Sequence, residues 1–153
     1  MKDKKCVFCK ILNAELPASF LWRDEFCAAF LDIQPINTGH ILVIPLEHEP
    51  LLGDLDPEIV AHMLKIGQKM VQALRASSLP CEGVNLFLAD GEPAGQEIFH
   101  CHLHVFPRYK GDGFGFHFGP HYRELPTREA LDEVASELRG ILGRKGDGGE
   151  TGI

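Results

Sequence analysis

The chain has 153 residues, of which 44% are hydrophobic and 24% are charged, the composition of one globular domain with a substantial core. Its 15 lysines and arginines against 22 aspartates and glutamates give a formal net charge of −7, which argues against nucleic acid or an anionic membrane as partner. The uninterrupted apolar runs, such as the one at 41–44, are far below the roughly 20 residues of a membrane span. The charged N-terminus leads into no apolar segment of signal-peptide length, so we expect a cytoplasmic protein.

The first half of the chain predicts a short helix followed by three strands. A helical turn is expected at 7–12, and a hairpin at 19–22 and 26–31 around the polar turn Arg-Asp-Glu. A loop rich in proline, asparagine and glycine follows at 32–39. The β-branched run at 40–45 then predicts a buried strand that ends at a proline.

The second half predicts two long helices and two further strands. Asp56-Pro57-Glu58 combines an N-cap acceptor, a first-turn proline and a carboxylate, so a helix begins there, and its apolar stripe runs to about Ala76. Strands are expected at 84–89 and 99–107, with a glycine and proline loop at 90–95 between them. Thr127 caps a last amphipathic helix.

These elements predict an α+β fold with an antiparallel sheet of about five strands and two main helices. The periodic segments fill residues 1–145, which we expect to form a single domain. The glycine-rich sequence at 146–153 predicts a flexible tail.

Three histidines alternate with apolar residues in His-Cys-His-Leu-His-Val-Phe at 100–106. Side chains alternate between the two faces of a strand, so His100, His102 and His104 are predicted to share one face. Imidazoles with an ordinary pKa of about 6.5 suit proton transfer, nucleophilic attack or metal binding near neutral pH. Two chemistries compete for this face: a catalytic zinc held by the histidines, or covalent catalysis by one of them.

The residues on either side of the histidines favour phosphate as the ligand. The loop at 90–96 contains small residues that let backbone N–H groups approach an oxyanion closely. Arg108 places a cation next to the same strand. Backbone donors and an arginine beside imidazoles therefore predict a phosphate-binding site.

The histidine pattern at 100–105, preceded by Ala-Gly-Gln at 94–96 and followed by Pro-Arg at 107–108, resembles the histidine triad (HIT) family. The segment Asp-x-x-Pro-x-x-x-Gly-His-x-Leu-Val-Ile-Pro at 32–45 is similar to that family's other signature. The resemblance covers most of residues 6–108 in the right order. It implies a HIT-like fold, a nucleotide-binding hydrolase or transferase, and a homodimer whose sheet continues across the interface.

The resemblance also implies a role for each catalytic residue. His102 would attack the α-phosphorus and form a nucleotidyl-histidine intermediate, while the backbone carbonyl of His100 holds its other ring nitrogen. His104 would contact phosphate oxygens or assist the leaving group, and His40 would contribute a supporting hydrogen bond. Asp32 would accept hydrogen bonds from the ribose of a purine nucleotide. The phosphate site would be lined by Gly95, Gln96 and Arg108.

The resemblance implies two substrate classes, diadenosine polyphosphates and nucleoside phosphoramidates. The sequence departs from the family pattern at Ala89, where an asparagine or glutamine is usual, and at Glu97, where many members have serine or threonine. Both departures favour an alternative, a nucleotide-binding or regulatory module with weak hydrolysis. A zinc metallohydrolase that uses all three alternating histidines is the third hypothesis.

The five cysteines are odd in number and scattered, which favours reduced thiols over a secreted disulfide framework. Cys6 and Cys9 form a C-x-x-C pair, but this pair alone supplies only two of the four ligands of a structural zinc. The chain resembles the bacterial-type branch of the HIT family that has an N-terminal C-x-x-C and binds zinc. That resemblance implies a closed structural site formed by Cys6, Cys9, His48 and His100, which catalysis does not require.

Overall fold

In the computed structural model, which describes residues 4–145, five antiparallel strands form one sheet. This confirms the predicted α+β class and the number of strands. In chain order the strands are β1 (Phe20–Arg23), β2 (Cys27–Leu31), β3 (Ile41–Pro45), β4 (Gly83–Phe87) and β5 (Leu103–Arg108). Their order in the sheet is β1-β2-β3-β5-β4, so β5 lies between β3 and β4 and carries its side chains at the middle of the sheet.

Three helices accompany the sheet, and each lies where the sequence predicts one. They are α1 (Val7–Leu12), α2 (Pro57–Ala76) and α3 (Arg128–Lys145), and two single 3-10 turns lie at Leu52–Asp54 and Glu92–Ala94. The predicted start of α2 is confirmed, since the Asp56 carboxylate accepts a hydrogen bond of 2.8 Å from the Glu58 N–H. No helix among residues 4–145 is long and apolar enough to cross a membrane.

Helix α2 packs on one face of the sheet. Its buried residues Met63, Ile66 and Met70 join a core cluster with side chains of β2, β3 and β5. A Cβ at Gly67 would lie 2.9 Å from Leu103 Cδ2, so the glycine is what lets the helix approach β5 so closely.

Helix α1 covers part of the opposite face. Phe8 and Leu12 pack there against Phe30 of β2 and Leu42 of β3. Leu42 lies directly opposite His104 in the β3–β5 register, and directly paired residues project from the same face. The imidazole of His104 therefore lies on the α1 face.

The strand predicted at 99–107 is shorter at its start, because β5 begins only at Leu103. The Cys101 N–H donates to the Glu49 carbonyl at 2.7 Å and the His100 N–H to the Ile98 carbonyl at 2.9 Å, so neither joins the sheet. The strand predicted at 84–89 likewise ends at Phe87, whose partner His104 is near the start of β5.

The chain divides into two compact units, Met1–Phe114 and Gly115–Ile153. The first contains the sheet, α1 and α2, and the second contains α3. Thr127 caps α3 as predicted, accepting a hydrogen bond of 3.2 Å from the Ala130 N–H. The extent of the domain, expected as 1–145, stays a prediction, and the tail predicted at 146–153 lies outside the described residues.

Candidate active site

A cleft of about 450 Å³ opens on the α1 face of the sheet. It brings together the three predicted catalytic residues, His40, His102 and His104, with the predicted substrate residues Asp32 and Gly95. Segments distant in the chain complete the lining, with Phe8 from α1, Gln34 and Ile36 from the loop after β2, Leu42 of β3, Phe87 of β4, Glu97, Ile98 and Phe114.

His102 is held in the form that a nucleophile requires. Its Nδ1–H donates to the His100 carbonyl at 2.7 Å, which confirms the predicted hydrogen bond and leaves the lone pair on Nε2. Burial lowers the pKa of His102, although the hydrogen bond to His100 and the charge of Asp32 act in the opposite direction. The imidazole therefore presents an unprotonated Nε2 at neutral pH.

The proton of His104 is placed by a chain of hydrogen bonds that begins at a backbone amide. The Ile36 N–H donates to His40 Nδ1 at 3.2 Å, so the His40 proton lies on Nε2. His40 Nε2 is 2.9 Å from His104 Nδ1 and donates to it, so the His104 proton lies on Nε2. Burial, followed by the nearby His102 and His40, lowers the pKa of His104 to about 3, which keeps it neutral.

The two neighbouring rings in the cleft therefore have opposite hydrogen-bonding character. His102 offers a lone pair and His104 offers an N–H, with ring centroids 4.7 Å apart. A nucleophile beside a hydrogen-bond donor can attack an electrophilic centre while the donor stabilises charge on an attached oxygen.

Asp32 lies at the His40 edge of the cleft. One carboxylate oxygen accepts a hydrogen bond of 2.9 Å from the Gln34 N–H, and the other is 3.6 Å from His40 Nδ1. The side chain is 18% exposed, so its remaining lone pairs are accessible to a ligand. Its contact with ribose hydroxyls stays a prediction.

The loop before β5 departs from the predicted phosphate site in two respects. The buried Gln96 side chain donates to the Pro50 and Ile98 carbonyls at 2.7 and 3.2 Å and accepts from the Gly91 N–H, so it shapes the loop and does not line the cleft. Gly95 does line the cleft, with φ at 90°, but its N–H donates to the Glu92 carbonyl at 2.9 Å. Gly95 supplies space for a ligand and no free donor.

Arg108 is also placed differently from its prediction. Its guanidinium pairs with the Asp112 carboxylate, with Nε–Oδ2 and Nη2–Oδ1 distances of 2.5 and 2.9 Å, and donates to Asn85 Oδ1 and the Phe114 carbonyl. This pairing holds the pKa of Asp112 well below its usual range. Arg108 is not part of the cleft lining, and its contact with phosphate stays a prediction.

Both departures from the family pattern can now be placed. Ala89 is buried, with 2% of its surface exposed, and is outside the cleft lining. Glu97 lines the cleft. Sequence reasoning missed Ile36, whose contribution is a backbone N–H and therefore leaves no signal in the side-chain pattern.

A second cluster of polar side chains lies beside the cleft, where α1 meets the segment before β5. The ligand atoms of Cys6, Cys9, His48 and His100 all lie within 4.8 Å of one another, which confirms that the four predicted ligands converge. Cys6 and Cys9 Sγ are 3.6 and 3.8 Å from His100 Nδ1, Cys9 Sγ is 3.4 Å from His48 Nδ1, and the two Nδ1 atoms are 3.3 Å apart.

This donor set fits a zinc ion. A tetrahedral zinc with bonds of about 2.0 Å to nitrogen and about 2.3 Å to sulfur holds its ligand atoms about 3.3–3.8 Å apart. His100 Nε2–H donates to the Pro45 carbonyl at 3.0 Å, which leaves the Nδ1 lone pair for a metal. Burial lowers the pKa of His100 to about 4, so the ring is neutral, as a ligand must be.

Comparison with known proteins agrees with this geometry. A family model of the HIT domain matches residues 13–111. An uncharacterized HIT-like protein of Borreliella burgdorferi is 48% identical over 115 residues, which are 74% of this chain and 83% of that protein. The adenosine 5'-monophosphoramidase HNT1 of Saccharomyces cerevisiae is 34% identical over 106 residues, or 69% of this chain and 64% of that protein.

Two solved structures are similar over nearly the whole chain. A HIT family protein from Bacillus anthracis aligns with a TM-score of 0.82 at 39% identity, covering 90% of this chain and 97% of that one. A zinc-bound histidine triad family protein from Mycobacterium smegmatis aligns with a TM-score of 0.70 at 39% identity, with the same coverage. From the matched domain, these relatives and the arrangement of His40, His102 and His104, we conclude that the chain belongs to the histidine triad family.

Proposed function

We propose that the protein is a nucleotide hydrolase that acts at the α-phosphorus of adenosine-type nucleotides through a nucleotidyl intermediate on His102. The observation that carries this proposal is the pair of opposite tautomers, a free Nε2 lone pair on His102 beside an Nε2–H on His104. Nucleoside phosphoramidates and diadenosine polyphosphates are the substrate classes, and the phosphoramidase activity named for the yeast relative supports the first.

In the first step, His102 Nε2 forms a bond to phosphorus and the bond from phosphorus to the leaving group breaks. The leaving group keeps the electron pair and takes a proton from solvent in the cleft. In the second step, a water oxygen bonds to phosphorus, the P–Nε2 bond breaks, and the water proton is released. The sum is one substrate and one water converted to a nucleoside monophosphate and the free leaving group.

The other residues of the cleft support these two steps. His104 Nε2–H donates to a non-bridging phosphate oxygen and stabilises the charge that develops there. His40 holds His104 in that tautomer, and Asp32 accepts hydrogen bonds from the ribose.

We also propose that Cys6, Cys9, His48 and His100 hold a structural zinc, supported by their spacing and by the zinc-bound relative from Mycobacterium smegmatis. When bound, the ion cross-links the N-terminal segment to the residues that precede β5. It takes no part in the chemistry, because His100 Nδ1 faces the thiols whereas His102 and His104 face the cleft. This arrangement disfavours a metallohydrolase that uses all three alternating histidines.

A homodimer with a continuous sheet is the assembly we propose. Strand β4 is at the edge of the sheet, where a second β4 can pair with it. Next to it lies a groove of about 530 Å³ that is lined by Ala61, Leu64, Lys65, Gln68, Val71 and Leu86. Leu64 is 57% exposed, and Leu64→Glu should turn a dimer into a monomer in light scattering.

We place the enzyme in the cytoplasm, as the sequence predicts.

The test is turnover of adenosine 5'-phosphoramidate and diadenosine tetraphosphate by the purified full chain. His102→Ala should lower kcat by at least about 10⁴-fold, the size seen when a nucleophile is removed. His62→Ala is the matched control, because His62 lies on α2 and bonds Asp24 away from the cleft. Nucleotide binding with no turnover by the wild type would overturn the proposal and favour the regulatory module.

A chelator arm separates the covalent route from metal catalysis. Zinc removal should lower the melting temperature clearly. The protein that remains folded should lose little of its activity. Turnover that survives in His102→Ala but stops on chelation would instead support a metallohydrolase.

A further inference from the structure

Glu97 is the one side chain of the cleft whose charge the proposed chemistry does not use. It lines the cleft together with His102 and His104, and its side chain is exposed. Within residues 4–145 its carboxylate makes no hydrogen bond or ion pair with the protein. The charge is therefore available to whatever occupies the cleft.

The cleft around Glu97 is anionic. Its charged side chains are the carboxylates of Asp32 and Glu97, and no lysine or arginine lines it in the part of the chain that the structure describes. The nearby cation, Arg108, is neutralised by Asp112. His40 and His104 each accept a hydrogen bond at Nδ1, so both rings are neutral in this arrangement and add no positive charge.

The two carboxylates lie next to different residues of the cleft. Asp32 is adjacent to His40, which bonds His104. Glu97 precedes Ile98, which packs in the same cluster as Phe8, and the Phe8 ring lies 5.2 Å from that of His102. In the binding mode that we infer, Asp32 holds the ribose and the leaving group extends from the phosphorus towards Glu97, which lines the same cleft.

On the basis of the proposed function, we propose that Glu97 selects substrates whose leaving group carries a positive charge. The preferred class is a nucleoside phosphoramidate of an amine with a second, cationic amino group. Dinucleoside polyphosphates bring several negative charges to the same place and are disfavoured, because like charges repel in a partly desolvated cleft. The serine or threonine usual at this position in the family would lack this charge preference.

The bonds made and broken are those of the general scheme. His102 Nε2 bonds to phosphorus as the P–N bond breaks, and the departing nitrogen keeps the electron pair and takes a proton from solvent. Water then releases the nucleoside monophosphate from His102. Glu97 takes no part in these proton transfers and acts on the charged end of the amine, so it is a specificity residue.

The test uses three adenosine 5'-phosphoramidates of equal length whose amines are 1,4-diaminobutane, butylamine and 4-aminobutyrate. Their free ends carry one positive charge, no charge and one negative charge. For the wild type, kcat/KM should fall by about threefold to fivefold at each step of this series, the size of one partly screened charge interaction. In Glu97→Gln the three values should become equal, and kcat/KM for diadenosine tetraphosphate should rise by a similar factor.

Glu92→Gln is the matched control, because it removes the same charge from the same loop outside the cleft lining. It should keep the wild-type preference. Turnover of all three amidates with no dependence on charge, or with a dependence that Glu97→Gln leaves unchanged, would overturn the role of Glu97 while the proposed function stands. Failure of the wild type to turn over any of the amidates or the tetraphosphate would overturn the proposed function itself.

Discussion

His100 and His102 are two residues apart, yet the structure places them in two different sites. His100 joins Cys6, Cys9 and His48 in the thiol cluster, whereas His102 lines the cleft. The difference between them is the ring nitrogen that a backbone carbonyl holds. The Pro45 carbonyl accepts a hydrogen bond from the Nε2–H of His100, which leaves Nδ1 free. The His100 carbonyl accepts one from the Nδ1–H of His102, which leaves Nε2 free.

Backbone acceptors, and not the spacing of the histidines, therefore determine which ring nitrogen each histidine offers. The two sites are linked, because His100, a proposed metal ligand, supplies the carbonyl that fixes the tautomer of His102, the proposed nucleophile. A zinc ion that holds the His100 ring would restrain this carbonyl as well. Substitutions that affect metal binding and catalysis separately test this difference between His100 and His102.

The largest effect is expected from Cys9→Ser, which removes the buried thiol of a proposed zinc ligand. It should abolish stoichiometric zinc binding and lower the free energy of unfolding by about 4 kcal/mol when free zinc is about 1,000 times its dissociation constant. Metal analysis and thermal unfolding in the presence of zinc measure both effects.

Cys81→Ser is the control for Cys9→Ser. Its thiol lies outside the cluster and donates to the Gly83 carbonyl at 3.4 Å, an interaction that a hydroxyl can keep. Zinc content and stability should stay at wild-type levels. A Cys9→Ser protein that keeps a full equivalent of zinc would show that the cluster is not the binding site.

The next largest effect is expected in the cleft, at the hydrogen bonds that connect Ile36, His40 and His104. His40→Ala removes the donor to His104 Nδ1 and should lower kcat by about 100-fold, the upper range for loss of a group that orients a catalytic residue. His40→Gln retains an N–H donor and should recover part of the loss. KM and zinc content should change little, and equal losses in both variants would argue against control of the His104 tautomer.

Much of this architecture can be predicted from local sequence patterns. The N-cap and proline at 56–58 predict the start of α2, and β-branched residues predict β3. Alternation correctly places His102 and His104 together, since both line the cleft. The four metal ligands were implied by resemblance to the family, and spacing alone does not reveal that His48 meets Cys9.

The sequence does not determine the partners of two polar side chains near the histidines. Gln96 and Arg108 are close in sequence to the histidines, which suggested a contact with phosphate. Gln96 instead bonds backbone groups of its own loop and of Pro50, and Arg108 bonds Asp112 and Asn85. Proximity in sequence does not specify these partners, because they come from segments up to 46 residues away.

The smallest effect on catalysis is expected from substitution of Arg108. This substitution tests whether the arginine contacts the substrate or stabilises the fold. Arg108→Ala should lower the melting temperature and leave KM for either substrate unchanged, because the guanidinium is not part of the cleft lining and bonds Asp112, Asn85 and the Phe114 carbonyl. Asp112→Ala should lower the melting temperature as well, and the double variant should lose less than the sum of the single losses, as expected for two halves of one interaction. A raised KM with an unchanged melting temperature would instead support a contact between Arg108 and phosphate. The cleft would then contain a cation that offsets the charge of Glu97, which would weaken the case for an anionic cleft.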